Sequence, residues 1–493
     1  MTLNIIVSLF AVAGFAAALF WTRIVSVARN ALATSMTGLS TMMDSDLDDD
    51  TKETAVQATG LALIKASFGI LWRVLVALAA AAAPMFIADA IGLVEMDDVL
   101  ALMLRLDYLV IVSVGAIAIV MVVSRFRRGS KDAGSSGTSY SATDRFFHII
   151  AFSGPGVLKF ISRIEDRLTK APTRAPSAPP IFITALARGG TTALLNALHD
   201  VDGIATHRYR DMPFLTAPSL WYRLSGGKKR AVERHQRAHG DGLEIDLDSP
   251  EAFEEVVWKM FWPQKFRQRM IAPWQTSDRK PDADQFLERH MSKVIQARVT
   301  QSGEDTADSA RYCSKNNANI ARIAYLKESF PGCHIVVPVR RPESHAASLL
   351  RQHENFLKQH ADDDFIKRYM RDIGHFEFGQ IQKLISFPGV DPDAYDAATP
   401  DYWLNYWIQA YRVILSESAN CHFILQDDLR AKPQATMTTL CRNLDLSADE
   451  MAFDTYFRSS TDSTDTSVFD PALLKEAADL YDQFKANAAT IKG

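Results

Sequence analysis

The chain has 493 residues, enough for two or three domains of ordinary size. Hydrophobic residues make up 47% and charged residues 23%, which excludes both a disordered chain and one embedded wholly in lipid. A formal charge of −4 excludes a globally basic nucleic-acid binder, and four cysteines (Cys313, Cys333, Cys421, Cys441), none in a CxxC pair, exclude a disulfide scaffold, a zinc ribbon and a thioredoxin-type site.

From Asn4 to Trp21 the chain carries no charge. A second apolar run covers Val74 to Val94 with Asp89 as its only ionisable residue, and a third covers Tyr108 to Val123. Crossing ~30 Å of hydrocarbon takes about 20 helical residues, which the first two runs supply and the third reaches with its flanks. Membrane helices are therefore expected near residues 4–22, 74–94 and 106–124, in a transmembrane region spanning 1–128. No Lys or Arg precedes the first run, whereas Arg23 and Arg29 follow it, the pattern of a retained helix rather than of a signal peptide. Lys65 and Arg73 precede the second run, and Arg125, Arg127, Arg128 and Lys131 follow the third. All three readings put the N-terminus outside and everything after the third run in the cytoplasm. The expectation is a multi-pass protein of a bacterial-type inner membrane, with the bilayer as its partner. Asp89 reads as a residue near the outer interface, and Pro84 as a kink.

Residues 129–180 read as a linker. GSKDAGSSGTSYSAT is a flexible tether, Asp144 to Lys170 is amphipathic and expected to lie on the membrane or on the globule, and APTRAPSAPP is a stiff spacer. A domain follows over 181–493.

Its first element, Ile181 to Ala187 (IFITALA), is an apolar run without alternation, as in a strand buried on both faces of a parallel sheet. Arg188, Gly189, Gly190, Thr191 and Thr192 follow, then a helical pattern. Strand, glycine turn and helix N-terminus together make an anion site. The glycines let the backbone approach the ligand, the threonines add hydroxyls, and Arg188 adds a guanidinium fork. The ATP-type loop G-x-x-x-x-G-K-[ST] is not matched, since Gly190 stands where Lys would be and Ala185 where the first Gly would be. Further on, a helix (Ile320 to Ser329) and a buried strand (His334 to Val339) lead into Arg340, Arg341 and Pro342. Arg340 thus lies at the C-terminal end of a strand, where open α/β sheets bind ligands. Ser348, eight residues on, sits two turns into the next helix.

These two segments resemble the sulfotransferases that use 3′-phosphoadenosine 5′-phosphosulfate (PAPS). In that family a strand ends in [K/R]-S-G-T-T, which cradles the 5′-phosphosulfate; a later Arg, followed eight residues on by Ser, holds the 3′-phosphate. ARGGTT matches the first with Gly189 in place of Ser, and Arg340 to Ser348 matches the second. The tyrosylprotein-type and bacterial branch, with Arg in the loop, is the nearest in pattern. Its C-N-K-D-P-like segment aligns with YCSKNN, placing Lys315 at the lysine and Asn316 and Asn317 where Asp-Pro would stand. The resemblance implies a P-loop-like α/β fold, a parallel sheet flanked by helices, with PAPS as co-substrate and no metal. It assigns Arg188, Gly189, Gly190, Thr191, Thr192, Arg340 and Ser348 to the nucleotide, and Arg188 and Lys315 to the charge that grows on the bridging oxygen.

In that branch a Glu about twenty residues past the loop takes the acceptor proton. Here that interval ends near Arg208, and the neighbouring candidates are His207 and Asp211, which otherwise order their loop. Glu254 and Glu255 are further carboxylates. The basic stretch Arg223 to Arg237 reads as a solvated face or a patch for an anionic surface. Trp403, Trp407 and Tyr411, at i, i+4 spacing, read as core. The expected acceptor is a hydroxyl or amine, on a lipid or glycan at the cytoplasmic membrane face. The alternatives are a nucleotide-binding module without chemistry and an ATP-dependent kinase.

Overall fold

The computed structural model describes residues 2–24, 26–27, 30–31, 34–35, 49–105, 108, 112, 142–169, 176–224, 235–236, 244–302, 310–419, 421–448, 450–457 and 464–490. The chain divides into two units, Met1–Ser135 and Ser136–Gly493.

In the first unit, helix α1 (Thr2–Trp21) packs on α2 (Asp49–Ala90), and α3 (Met96–Met103) follows. Ala11 of α1 and Ala77 of α2 are both fully buried, small residues that let two apolar helices approach closely. Leu3–Trp21 and Gln57–Ala90 are long and apolar enough to cross a membrane. The second helix differs from the expected 74–94. It begins at Asp49, inside the acidic segment, and runs through Pro84 to Ala90. It stops there because Gly92 turns to φ +70° and the Leu93 amide closes on the Ala88 carbonyl at 2.9 Å, a glycine-capped end. The Asp89 carboxylate accepts the Met96 amide at 3.1 Å at the start of α3, so it holds a turn at the helix end. Apart from Tyr108 and Val112, the third apolar run lies outside the described residues, as does the tether before residue 142.

The second unit opens with two helices, α4 (Ala142–Ala151) and α5 (Pro155–Leu168), over the stretch expected to be amphipathic. Both pack on the globule. His148 bonds Asp372 at 3.0 Å, Leu158 enters the main core, and the Lys293 ammonium donates to the Ser162 hydroxyl at 2.8 Å. Ala151 and Leu158 of these amphipathic helices are buried, while Ile149, Phe160 and Leu168 stay exposed.

Five parallel strands follow: β1 (Ile181–Ile183), β2 (Ile204–Ala205), β3 (Arg311–Lys315), β4 (His334–Val339) and β5 (Cys421–Leu425). Their order in the sheet is β2–β3–β1–β4–β5. Side chains alternate between two cores. Phe182, Ile335 and Val337 enter one, while Ile181, Ile183 and Val336 enter the other. This two-sided burial explains the unbroken apolar runs in the sequence. Strand β1 is shorter than the expected Ile181–Ala187. After Ile183 only the Thr184 amide still reaches β4, at the Val336 carbonyl (3.0 Å), before the chain leaves the sheet. The expected helix Ile320–Ser329 forms in two parts, a 3-10 segment (Asn317–Arg322) and an α-helix (Ile323–Ser329). The aromatic stripe Trp403, Trp407, Tyr411 lies on a helix (Pro400–Ser416) and is buried, as expected of core.

This strand order brings the site together. The chain leaves β1 for one side of the sheet and β4 for the other, yet β1 and β4 are hydrogen-bonded neighbours. The loops after both therefore open into one crevice at the carboxyl edge.

Candidate active site

The turn after β1 is held in an uncommon backbone conformation. Arg188 has φ +67° and Gly190 has φ +96°, while the Gly189 amide bonds back to the Leu186 carbonyl at 3.1 Å. A non-glycine residue with positive φ costs of order 1 kcal/mol or more, and such strain persists only where surroundings enforce it. Here the surroundings are His345 and Arg340. The fully buried His345 ring donates from Nε2 to the Ala187 carbonyl at 2.7 Å. Burial, then the Arg340 charge, pushes its imidazolium pKa down to about 3, so the ring is a neutral strut. Arg340, 7% exposed, donates from Nη1 to the Arg188 carbonyl at 3.3 Å. Arg188 in turn donates from Nε to the Ser348 hydroxyl at 3.4 Å. The three residues picked by spacing thus meet, and the sheet order is the reason.

The glycines are needed for different reasons. A Cβ on Gly190 would add to the positive-φ penalty and meet the Gln426 amide at 3.1 Å. A Cβ on Gly189 would sit 3.0 Å from the Leu186 carbonyl oxygen, 3.1 Å from His345 Cε1 and 3.3 Å from Ala185 Cβ. Gly189, where the resembling family carries Ser, is thus fitted to the imidazole beneath it. From Gly190, helix α6 (Thr191–His199) begins, and Leu194 is the first amide to bond an α6-turn carbonyl, that of Gly190 at 3.2 Å. The earlier amides and the positive end of the helix dipole face the crevice end of the helix.

Lys315 ends β3, paired with Ile183, the last residue of β1. The chain beyond it runs beside the loop. Thr191 donates its hydroxyl to Asn317 Oδ1 and Thr184 donates to the Asn317 carbonyl, both at 3.4 Å. Asn316 donates to Glu255 at 2.6 Å, and Asn317 donates to Glu377 Oε1 at 2.7 Å. The two asparagines that depart from the family's Asp-Pro therefore tie the loop to two carboxylates.

Glu255 is occupied. It makes a two-pronged pair with Arg322 (2.7 and 2.9 Å), both side chains buried, and the guanidinium lies 4.4 and 4.1 Å from the rings of Trp258 and Trp274. Glu254 accepts from Trp258 and Tyr312, each at 3.0 Å.

His207 and Asp211 lie in a separate buried knot, 2% and 1% exposed. The His207 ring bonds Asp211 through Nδ1 (3.0 Å) and His290 through Nε2 (2.8 Å). Asp211 also accepts from the Arg208 amide at 2.9 Å and from the Arg298 guanidinium. Burial would raise the Asp211 carboxyl, but Arg298 and His207 outweigh it and hold it below the usual carboxylate range. Burial, with His207 beside it, pushes His290 well down. Both nitrogens of His207 and both oxygens of Asp211 are thus spent inside the protein. This geometry suits the loop-ordering role weighed for them, and neither lines the cavity described next.

That cavity opens between Leu186–Ala187, Asn316–Ala318 and the segments Gly374–Glu377 and Lys383–Ile385. Its one carboxylate among the described lining residues is Glu377, half-buried. Sequence reasoning passed over Glu377 because it lies 189 residues beyond Arg188, outside the loop-to-base interval the family suggests. Arg341 is exposed and paired with Asp427 at 2.7 Å. Thr464 bonds Ser344 at 3.0 Å, and residues 458–463 before it lie outside the described residues. So does most of the basic Arg223–Arg237 stretch. Among the described residues no cluster of three or more His, Cys, Asp or Glu is placed to hold a metal.

No curated protein matches the chain. Among solved structures, sulfotransferase STF1 from Mycobacterium tuberculosis H37Rv is similar at 12% identity and a TM-score of 0.37, covering 68% of this chain and 85% of its own. Sulfotransferase STF9 from Mycobacterium avium is similar at 11% identity and a TM-score of 0.39, covering 74% and 95%. The stretch from residue 179 to residue 385, which holds the glycine turn, Arg340, Ser348 and Glu377, matches the model of the sulfotransferase family.

Proposed function

We propose that the chain is a membrane-anchored sulfotransferase that moves the sulfonate of PAPS to a hydroxyl or amine at the cytoplasmic membrane face. The family match supports sulfonyl transfer in general. The observation that carries the nucleotide assignment is the convergence of Arg188, Arg340 and Ser348 with the N-terminus of α6. This donor set fits PAPS, whose two anionic ends need two separate groups of donors. The loop amides, Thr191 and Thr192 receive the 5′-phosphosulfate; Arg340 and Ser348 receive the 3′-phosphate. Arg188 and Lys315 stabilise the charge that develops on the bridging oxygen as the sulfonate departs. Two membrane-length helices and the distribution of Lys and Arg support anchoring with the second unit inside.

The test is calorimetric titration of adenosine 3′,5′-bisphosphate, together with transfer of labelled sulfonate from PAPS. Wild type binds the bisphosphate and turns over PAPS, and Arg188→Ala melts like wild type but does not transfer. Bisphosphate binding without turnover across a broad acceptor panel would make the chain a binding module. Mg-ATP binding that the bisphosphate does not displace would make it a kinase.

A further inference from the structure

The cavity beside the glycine turn has a shape, a lining and a carboxylate that nucleotide binding leaves unused. Counting its open mouth, its volume is about 600 Å³. The small enclosed space and largely apolar lining of this slot suit an apolar stem. Leu186, Ile271, Leu349, Phe376, Leu384 and Trp403 give it apolar walls.

The polar groups around the slot are mostly committed elsewhere. His375 bonds the Ala252 carbonyl through Nε2 at 2.9 Å. The Lys383 ammonium donates to the carbonyls of Arg267 (2.5 Å) and Gln268 (2.7 Å). Glu377 differs. Its Oε1 accepts from Asn317, whose own Oδ1 accepts from Thr191 at the N-terminus of α6. One asparagine thus links the carboxylate to the turn that cradles the donor, and Oε2 remains to take a proton.

Phe376 and Lys383 also line a second, larger groove of about 1310 Å³, counted with its open mouth. Its charged lining is Lys259, Arg269, Arg371 and Lys383 against Asp372, and Arg269 is paired with Asp393 at 2.8 Å, which leaves Lys259, Arg371 and Lys383 to set its charge. Asp372 already pairs with His148 (3.0 Å) and Arg368 (3.5 Å). The slot and the basic groove therefore share a wall.

Resting on the sulfotransferase reading, we propose that slot and groove are the acceptor site, that the acceptor is an anionic amphiphile with a hydroxyl on a slim apolar stem, and that Glu377 is the catalytic base. The acceptor oxygen forms its bond to sulfur as its proton passes to Glu377 Oε2. The bond between sulfur and the bridging oxygen breaks, and adenosine 3′,5′-bisphosphate leaves with the electron pair.

The experiment uses the full chain in detergent, PAPS, and three probes: ω-hydroxyalkanoates of graded length, the matching α,ω-diols, and a free sugar. Wild type is expected to sulfonate the hydroxyalkanoates with a lower KM than the diols, and not the sugar. Glu377→Gln, isosteric and still able to accept from Asn317, lowers kcat by at least about 100-fold. Its bisphosphate affinity and melting temperature stay at wild-type values. Arg371→Ala raises KM for the hydroxyalkanoate and leaves the diol unchanged. Wild-type kcat in Glu377→Gln, equal use of diol and hydroxyalkanoate, or preference for the sugar overturns the inference while the sulfotransferase reading stands. Failure of wild type to bind the bisphosphate overturns that reading instead.

Discussion

Placing serine at residue 189 restores the loop pattern of the resembling family, yet the structure predicts that it harms this protein. The new Cβ would lie 3.0 Å from the Leu186 carbonyl oxygen, 3.1 Å from His345 Cε1 and 3.3 Å from Ala185 Cβ. None of these is the tip of a flexible side chain. The Leu186 carbonyl is held by the Gly189 amide itself, and His345 is fully buried and pinned to the Ala187 carbonyl. Overpacking of this kind costs about 1–3 kcal/mol. If the loop relaxes by leaving its anion-binding shape, that energy reappears as roughly 5- to 150-fold weaker bisphosphate binding. Gly189→Ser should therefore bind more weakly in calorimetry, melt lower, or both. A second variant tests the cause. Gly189→Ser combined with His345→Ala removes one of the three clashes, so the double-mutant cycle should show a coupling of about 0.5 kcal/mol or more. Wild-type binding, melting and turnover in Gly189→Ser, or strict additivity in the cycle, would refute the reasoning.

Arg340→Ala removes a charge-assisted donor from a buried position and should weaken bisphosphate binding by 1.5–3 kcal/mol, about 10- to 150-fold; an unchanged dissociation constant counts against its phosphate role. Arg322→Ala strands the Glu255 carboxylate in the core and should cost about 3–5 kcal/mol in denaturant unfolding, so a loss under about 1 kcal/mol would contradict the buried pair. Burial pushes the Glu165 carboxyl from 4.5 up to about 7, against the opposing Leu220 amide and Lys293 charge. The folded state keeps a proton that the unfolded state releases, so this stabilisation is complete below pH 4.5 and is lost as pH rises through 7. Glu165→Gln should then be more stable than wild type at pH 8, by roughly 3 kcal/mol at most, and equal to it at pH 4; parallel stability–pH curves would exclude the shift.

Local order carries far in this chain. The unbroken apolar runs of β1 and β4 announce strands covered on both faces. The Gly189–Gly190 turn announces a helix N-terminus that faces an anion, and the eight-residue interval from Arg340 to Ser348 places both on one side of a helix start. These signals are legible because each depends on a few consecutive residues and a fixed repeat of 2.0 or 3.6. The end of α2 was less so, since an apolar run continues past Ala90 and only Gly92 marks the break. The amphipathic stretch Asp144–Lys170 is legible as helical, but its spacing does not declare what covers it.

What only the tertiary structure decided are contacts between residues far apart in sequence. The adjacency of β1 and β4 brings Arg188 to Ser348 across 160 positions, and His345 under the Ala187 carbonyl across 158. The loop near residue 207 looked like the source of a base because it carries an imidazole and a carboxylate, but Arg298 and His290, on a distant helix (Pro281–Ser302), absorb both. Glu377, by contrast, has nothing beside it in sequence to mark it. Its place at the slot follows from Asn317, which meets it, and meets Thr191, only once the sheet has formed. Spacing along a chain reports which residue types share an element; strand order alone decides which elements share an edge, and that edge is where the charges converge.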